Sequence, residues 1–92
     1  MAEGPEPERL PPPPFWRTRY FDRIVTQRPD RWMITPGMIL SVLRAPTRKE
    51  REQSGRIRHW GYVTGLERWL RVVTLSDEET VHNAFLDRNF RP

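Results

Sequence analysis

His82, Arg58 and Arg71 are the side chains in this 92-residue chain whose types and spacing suit chemistry on a phosphodiester. Metal-free RNA cleavage uses the neighbouring 2′-hydroxyl as nucleophile. It needs a base for that proton, an acid for the leaving 5′-oxygen and cations for the charge that builds on phosphorus. A free imidazole titrates near pH ~6.5 and serves in either direction, which makes His82 the acid–base candidate. Arg58 and Arg71 are the candidates for gripping phosphate, since guanidinium is a flat two-pronged donor. Around them, Lys49, Arg51, Arg56, Arg58, Trp60, Tyr62 and Arg88 are the expected nucleic-acid contacts, with Trp60 or Tyr62 stacking a base. Each has an ordinary role to set beside this one. A histidine on a sheet face is commonly just polar. Arginines there solvate the sheet or pair with acids, and Trp60, Tyr62 and Trp69 serve equally as packing residues.

These residues need a sheet to bring them together. Residues 47–90 read as four short strands, 47–53, 56–63, 68–75 and 80–86, separated by the turns Ser54-Gly55, Thr64-Gly65-Leu66-Glu67 and Ser76-Asp77-Glu78-Glu79. Val, Ile, Thr and aromatic residues fill the runs, and Gly, Ser and Asp fill the gaps. Connections this short make antiparallel neighbours, hence a four-stranded antiparallel meander. The turns place Gln53 opposite Arg56, Val63 opposite Arg68 and Leu75 opposite Thr80. Alternation then puts Ile57, Gly61, Val63, Leu70, Val72, Val81 and Phe85 on a core face, with His59 and Asn83 among them. Lys49, Arg51, Arg56, Arg58, Trp60, Tyr62, Trp69, Arg71, Val73 and His82 fall on a basic, aromatic face. On the core face His59 is expected to be a buried, hydrogen-bonded histidine with Glu50 as its partner. Glu50 and Glu52 are expected to offset charge, and Asp87-Arg88 to form an ion-paired strand end.

Two helices precede the sheet. Residues 15–28 place Phe21, Ile24, Val25 and Arg28 on one face before Pro29 ends the run. Trp32 and Ile34 follow in a connector and are expected to pack on the helices. Pro36–Arg44 is the second helix, with Thr35 as N-cap, Pro36 in the first turn and Ala45-Pro46 as its stop. Both are short and need a surface to lie on. The expected fold is therefore α+β, with two N-terminal helices packed on one face of the four-stranded sheet. Residues 1–14, with six of the ten prolines, read as a disordered Pro-rich tail, and residues 15–92 as one domain.

The balance of charge bounds the partners. The chain carries a formal +4, and residues 1–14 hold three Glu and one Arg, so the rest carries +6. All but one of its sixteen basic residues are Arg. RNA or an acidic protein is the matching partner class. There is no cysteine, which excludes a disulfide framework and a thiolate metal site. His59 and His82 are too far apart in sequence for a local metal pair, no glycine loop cradles phosphate, and no cofactor or metal is expected. No run is apolar enough to span a membrane and no secretory signal is visible, so a cytoplasmic protein is expected.

The order of the motifs resembles a known group. The helix Pro36–Arg44, then Gly55-Arg56, then Leu70-Arg71-Val72-Val73, then the acidic turn and residues 80–88 ending in aromatic-x-Asp-Arg, is similar to the RelE/ParE superfamily of toxin–antitoxin toxins, including BrnT-like members. The resemblance covers roughly residues 18–90. It implies an α+β fold, RNA cleavage and a cognate acidic antitoxin. The chain departs from the ribosome-dependent members in having no C-terminal catalytic Tyr or Lys that aligns. The other reading is a non-catalytic interaction module whose basic, aromatic face binds an acidic protein or nucleic acid. In either case residues 80–86, apolar and last in the meander, are the expected edge for a homodimer or partner strand.

Overall fold

The computed structural model describes residues 9–92. Its elements, in order, are β1 (Arg9–Leu10), β2 (Arg17–Thr18), α1 (Arg19–Gln27), a 3-10 turn (Pro29–Arg31), α2 (Pro36–Arg44), β3 (Arg48–Arg51), β4 (Ile57–Val63), β5 (Arg68–Thr74) and β6 (Val81–Leu86). The second helix has the expected bounds, and Thr35 caps it by accepting from the Met38 N–H. The first is shorter at its start than expected. Thr18 caps it through Phe21 N–H, which leaves Phe15 and Trp16 outside the helix.

The architecture is α+β, but the sheet is not a four-stranded antiparallel meander. It has six strands in the order β1-β2-β6-β5-β4-β3 and is mixed, because β2 runs parallel to β6. The two extra strands have two residues each, too short to show any periodicity. They are held by what surrounds them. The Val81 N–H donates to the Trp16 carbonyl at 2.9 Å. Arg9 forms ion pairs with Asp77 and Glu79 and lies over the Trp16 ring. Of the expected unstructured stretch, residues 1–8 lie outside the described residues, and Arg9–Leu10 form β1. Strand β6 is consequently not an edge: β2 pairs with it at Val81, and Arg31 reaches the Asn83 side chain beyond.

Register decides which residues share a face, and two turns set it. Val63 pairs with Arg68, as expected. At the β3–β4 turn the loop is one residue longer than expected. Glu52 N–H donates to the Arg56 carbonyl, and Gln53, Ser54 and Gly55 make the loop, with Gly55 at φ 98°. A left-handed glycine closing a three-residue hairpin loop is a standard alternative to the two-residue turn. The slip moves Lys49 and Arg51 to the helix side and Arg48 and Glu50 to the other. In β6 the Leu75 N–H donates to the Thr80 carbonyl, which is the expected pairing, but a bulge between Val73 and Thr74 leaves His82 as the extra residue. Beyond it, Asn83 and Phe85 lie on the outer face instead of the core face, and Ala84 and Leu86 on the core face.

The core lies between the sheet and both helices. Phe21 and Ile24 of α1 and Ile39 and Val42 of α2 pack with Leu70, Val72, Val81 and Ala84. Helix α2 sits so close to β4 that a Cβ on Gly61 would lie 2.8 Å from Val42 Cγ2. Burial of this apolar set is the main stabilising contribution. Trp32, expected to pack on the helices, is instead 75% exposed.

Candidate functional site: an arginine-lined groove on the outer face

The face of the sheet away from the helices is covered in part by the chain's own C-terminal segment. Asp87, 7% exposed, anchors it. One carboxylate oxygen accepts from Trp60 Nε1–H at 2.9 Å and from Arg71 at 3.1 Å (Nε) and 2.9 Å (Nη2). The other accepts the Asn89 N–H at 3.1 Å. Burial alone would raise this carboxyl. The hydrogen bonds from Trp60 and Arg71 outweigh it and hold Asp87 below the usual carboxylate range. Phe90 then stacks on Trp60, with ring centroids 4.9 Å apart, and meets Trp69 edge-on. Trp60 is buried as a result.

Beside this anchor runs an open groove of about 270 Å³. Arg48, Arg58, Arg71 and Arg91 line it, with Glu50 and Asp87 as its only acids among the described residues. Arg58 bonds Glu52 through Nε at 2.9 Å, and that bond, with the charge of Arg58, holds Glu52 below its ordinary value. Arg71 gives Nε and Nη2 to Asp87, and among the described residues its Nη1 has no hydrogen-bond partner. A guanidinium fixed from behind by a buried carboxylate is a rigid anion contact, since little side-chain freedom is left to lose on binding.

The expected site residues divide. Arg58, Arg71 and Trp60 come together in this groove. Tyr62 stands on the same face, 50% exposed and edge-on to Trp69 at 5.3 Å. Arg56 lies off the groove, in a hollow with Ser54, Gly55 and Asp77. Lys49 and Arg51 are not on this face at all: Lys49 pairs with Glu78 at 2.7 Å, and Arg51 donates to the Gly55 carbonyl. Arg88 lines a separate cleft with Arg31 and Arg68.

His82 does not line the groove. The bulge turns it toward α1, where Nδ1 lies 3.1 Å from Thr18 Oγ1 and the ring stacks on Tyr20. Thr18 Oγ1 already accepts the Phe21 N–H, so it has its own proton to donate to an unprotonated Nδ1. Burial, and after it the charge of Arg56, pushes His82 below its ordinary value, with Glu52 opposing. His59 is buried on the core face as expected, but its partner is Thr74 Oγ1 at 3.1 Å rather than Glu50. Asp87 is ion-paired as expected, to Arg71 rather than to its neighbour Arg88.

Arg48, Glu50, Asn89, Phe90 and Arg91 are the groove residues that sequence reasoning missed. Arg48 and Glu50 alternate with Lys49 and Arg51, so one residue of register exchanges the pairs. Phe90 and Arg91 follow the last strand and have no periodicity to place them. Among the described residues, no three His, Asp or Glu side chains gather as a metal site, and no helix is long and apolar enough to cross a membrane. No protein-family model, curated protein or solved structure matches the chain.

Proposed function

We propose that this domain binds RNA across the outer-face groove, with phosphates against Arg58, Arg71 and Arg91. The observation that carries this is Arg71 itself: it is buttressed by a buried carboxylate, keeps Nη1 unbonded among the described residues, and sits among three further guanidiniums in one groove. Tyr62, exposed on the same face, offers a ring for base stacking. The resemblance to RelE/ParE-type toxins, on the residues given above, supports the same reading. An acidic antitoxin-like protein would compete for the same guanidiniums. Mapping amide chemical shifts during titration with single-stranded RNA tests the placement. Shifts should concentrate in β3, β4, β5 and residues 87–91; shifts confined to α1 and α2 would overturn it.

A second reading extends binding to metal-independent cleavage, and Glu50 favours it because it lines the same groove as Arg58 and Arg71. Glu50 would take the 2′-hydroxyl proton as the 2′-oxygen attacks phosphorus. The bond to the 5′-oxygen breaks, that oxygen takes a proton from water, and Arg71 stabilises the charge on phosphorus. His82, held against Thr18 and Tyr20, has no part in this version. Cleavage of a labelled RNA in excess chelator, lost in Glu50→Gln with binding retained, is the expected result. Absence of cleavage by the wild type would leave the domain as a binding module.

A further inference from the structure

A second cleft lies on the other side of Phe85 from the groove, between the 3-10 turn and the strand ends of β5 and β6. Its volume is about 470 Å³, within the roughly 300–1,000 Å³ of small-ligand sites. Its polar side is made by Arg31, Arg68 and Arg88, its apolar side by Met33, Leu66 and Phe85. Asp30 is the one acid on its wall.

Two of the three arginines are not used up by the protein. Arg68 and Arg88 are exposed and have no ion pair among the described residues, while eight of the nine acids there are ion-paired to other residues, Asp30 to Arg31 within the cleft. Arg31 is different. Its Nη1 bonds Asp30, its Nη2 bonds Asn83 and its plane lies over Phe85 at 5.5 Å, yet its Nε–H is buried with no acceptor among the described residues. The cleft thus holds a net positive charge around a half-apolar space. Trp32, 75% exposed, lies in the chain between Arg31 and Met33, two residues of the wall, without itself lining the cleft. An exposed indole offers a flat face on which an aromatic base can stack.

We propose that this cleft binds a nucleoside monophosphate unit, its phosphate on Arg68 and Arg88 and its base against Trp32 and the apolar wall. The unit is either a free nucleotide or the 5′-phosphorylated end of an RNA chain, which present the same chemistry. This site is distinct from the outer-face groove and stands whether or not the groove binds RNA. Guanidinium pairs suit a terminal phosphate better than an internal one, because a terminal phosphate offers an extra oxygen and more negative charge.

The test is calorimetric titration of the full chain with adenosine 5′-monophosphate, adenosine and inorganic phosphate. The monophosphate should bind saturably, and the two fragments at least about tenfold more weakly. Arg68→Ala and Arg88→Ala should each weaken it about tenfold or more, the loss of a charged hydrogen bond, with unchanged circular dichroism. Arg44→Ala, on exposed α2 surface, should not. Trp32→Ala should weaken the monophosphate and leave inorganic phosphate unaffected. Competition by a 5′-phosphorylated oligonucleotide but not its 5′-hydroxyl counterpart assigns the chain end; no competition by either assigns the free nucleotide. No saturable binding, undiminished binding in the Arg68→Ala/Arg88→Ala double variant, or phosphate binding as tightly as the nucleotide would overturn the proposal.

Discussion

Arg71 holds one oxygen of Asp87 with two nitrogens, Nε at 3.1 Å and Nη2 at 2.9 Å. The pair does two jobs. It ties the C-terminal segment across the outer face, and it fixes the guanidinium that the groove presents. Its two ends differ in burial, since Arg71 is 25% exposed and Asp87 only 7%.

Removing Arg71 therefore strands a buried carboxylate. Arg71→Ala should cost about 3 kcal/mol, at the low end for broken buried pairs because the arginine keeps some solvent contact. Arg58→Ala breaks a pair that is more exposed and should cost under about 1 kcal/mol. Urea denaturation of the two variants checks the order. Equal small losses would show that Asp87 is not held by Arg71. Binding tests should accordingly use Arg58→Ala and Arg71→Lys, which keeps a cation beside Asp87.

Gly61 marks the closest approach of helix to sheet. Gly61→Ala would place its methyl 2.8 Å from Val42 Cγ2 and should destabilise the fold by about 1–3 kcal/mol, as overpacked cores do. Val42→Ala/Gly61→Ala should recover part of that loss relative to the sum of the single changes. Strict additivity in the double-mutant cycle would show that the contact does not carry the cost.

Much of this fold is visible in the sequence wherever a local signal is decisive. Thr35, Pro36 and the Ala45-Pro46 stop mark α2, and the four-residue turn after Val63 sets the β4–β5 register. What escapes is set by one residue at a time. Gly55 reads equally well as the second residue of a tight turn or the last of a longer one, and only the second reading puts Arg48 and Glu50 in the groove. The bulge at His82 leaves no mark in TVHNAFL, yet it moves Phe85 to the outer face and removes the expected catalytic histidine from its arginines. Strands β1 and β2 exist through Trp16, Arg9 and the acidic turn, contacts separated by more than sixty residues from their partners. Arg58, Arg71 and Trp60 fall on one face in sequence and structure alike because they lie on the two strands whose register the turn settles.

Both histidines should make stability fall in mild acid. Burial comes first in lowering each, with Lys49 adding at His59 and Arg56 at His82. The folded chain thus binds fewer protons than the unfolded one. The neutral-histidine contribution is complete above the ordinary value of 6.5 and is lost as pH falls below it toward the lowered folded values. Urea midpoints should drop between pH 8 and pH 5, and His82→Gln should flatten part of that slope. Asp87, Asp77 and Glu52 are also lowered, so a second loss should follow below the carboxyl range as they take up protons. A midpoint independent of pH from 8 to 5 would contradict the burial of neutral His59 and His82.

The most direct test of the groove is the affinity of a fluorescent single-stranded RNA measured by anisotropy over a series of salt concentrations. Each phosphate contact releases counterions, so the logarithm of the binding constant should fall linearly with the logarithm of salt, by roughly 0.7 per contact for a single strand. Wild type, with Arg58, Arg71 and Arg91 in contact, should show a slope of about −2 on that rule. Arg58→Ala should weaken binding and reduce the slope by about one contact's worth, with its fold intact by circular dichroism. RNA binding with no salt dependence, or an Arg58→Ala variant with the wild-type constant and slope, would contradict the account.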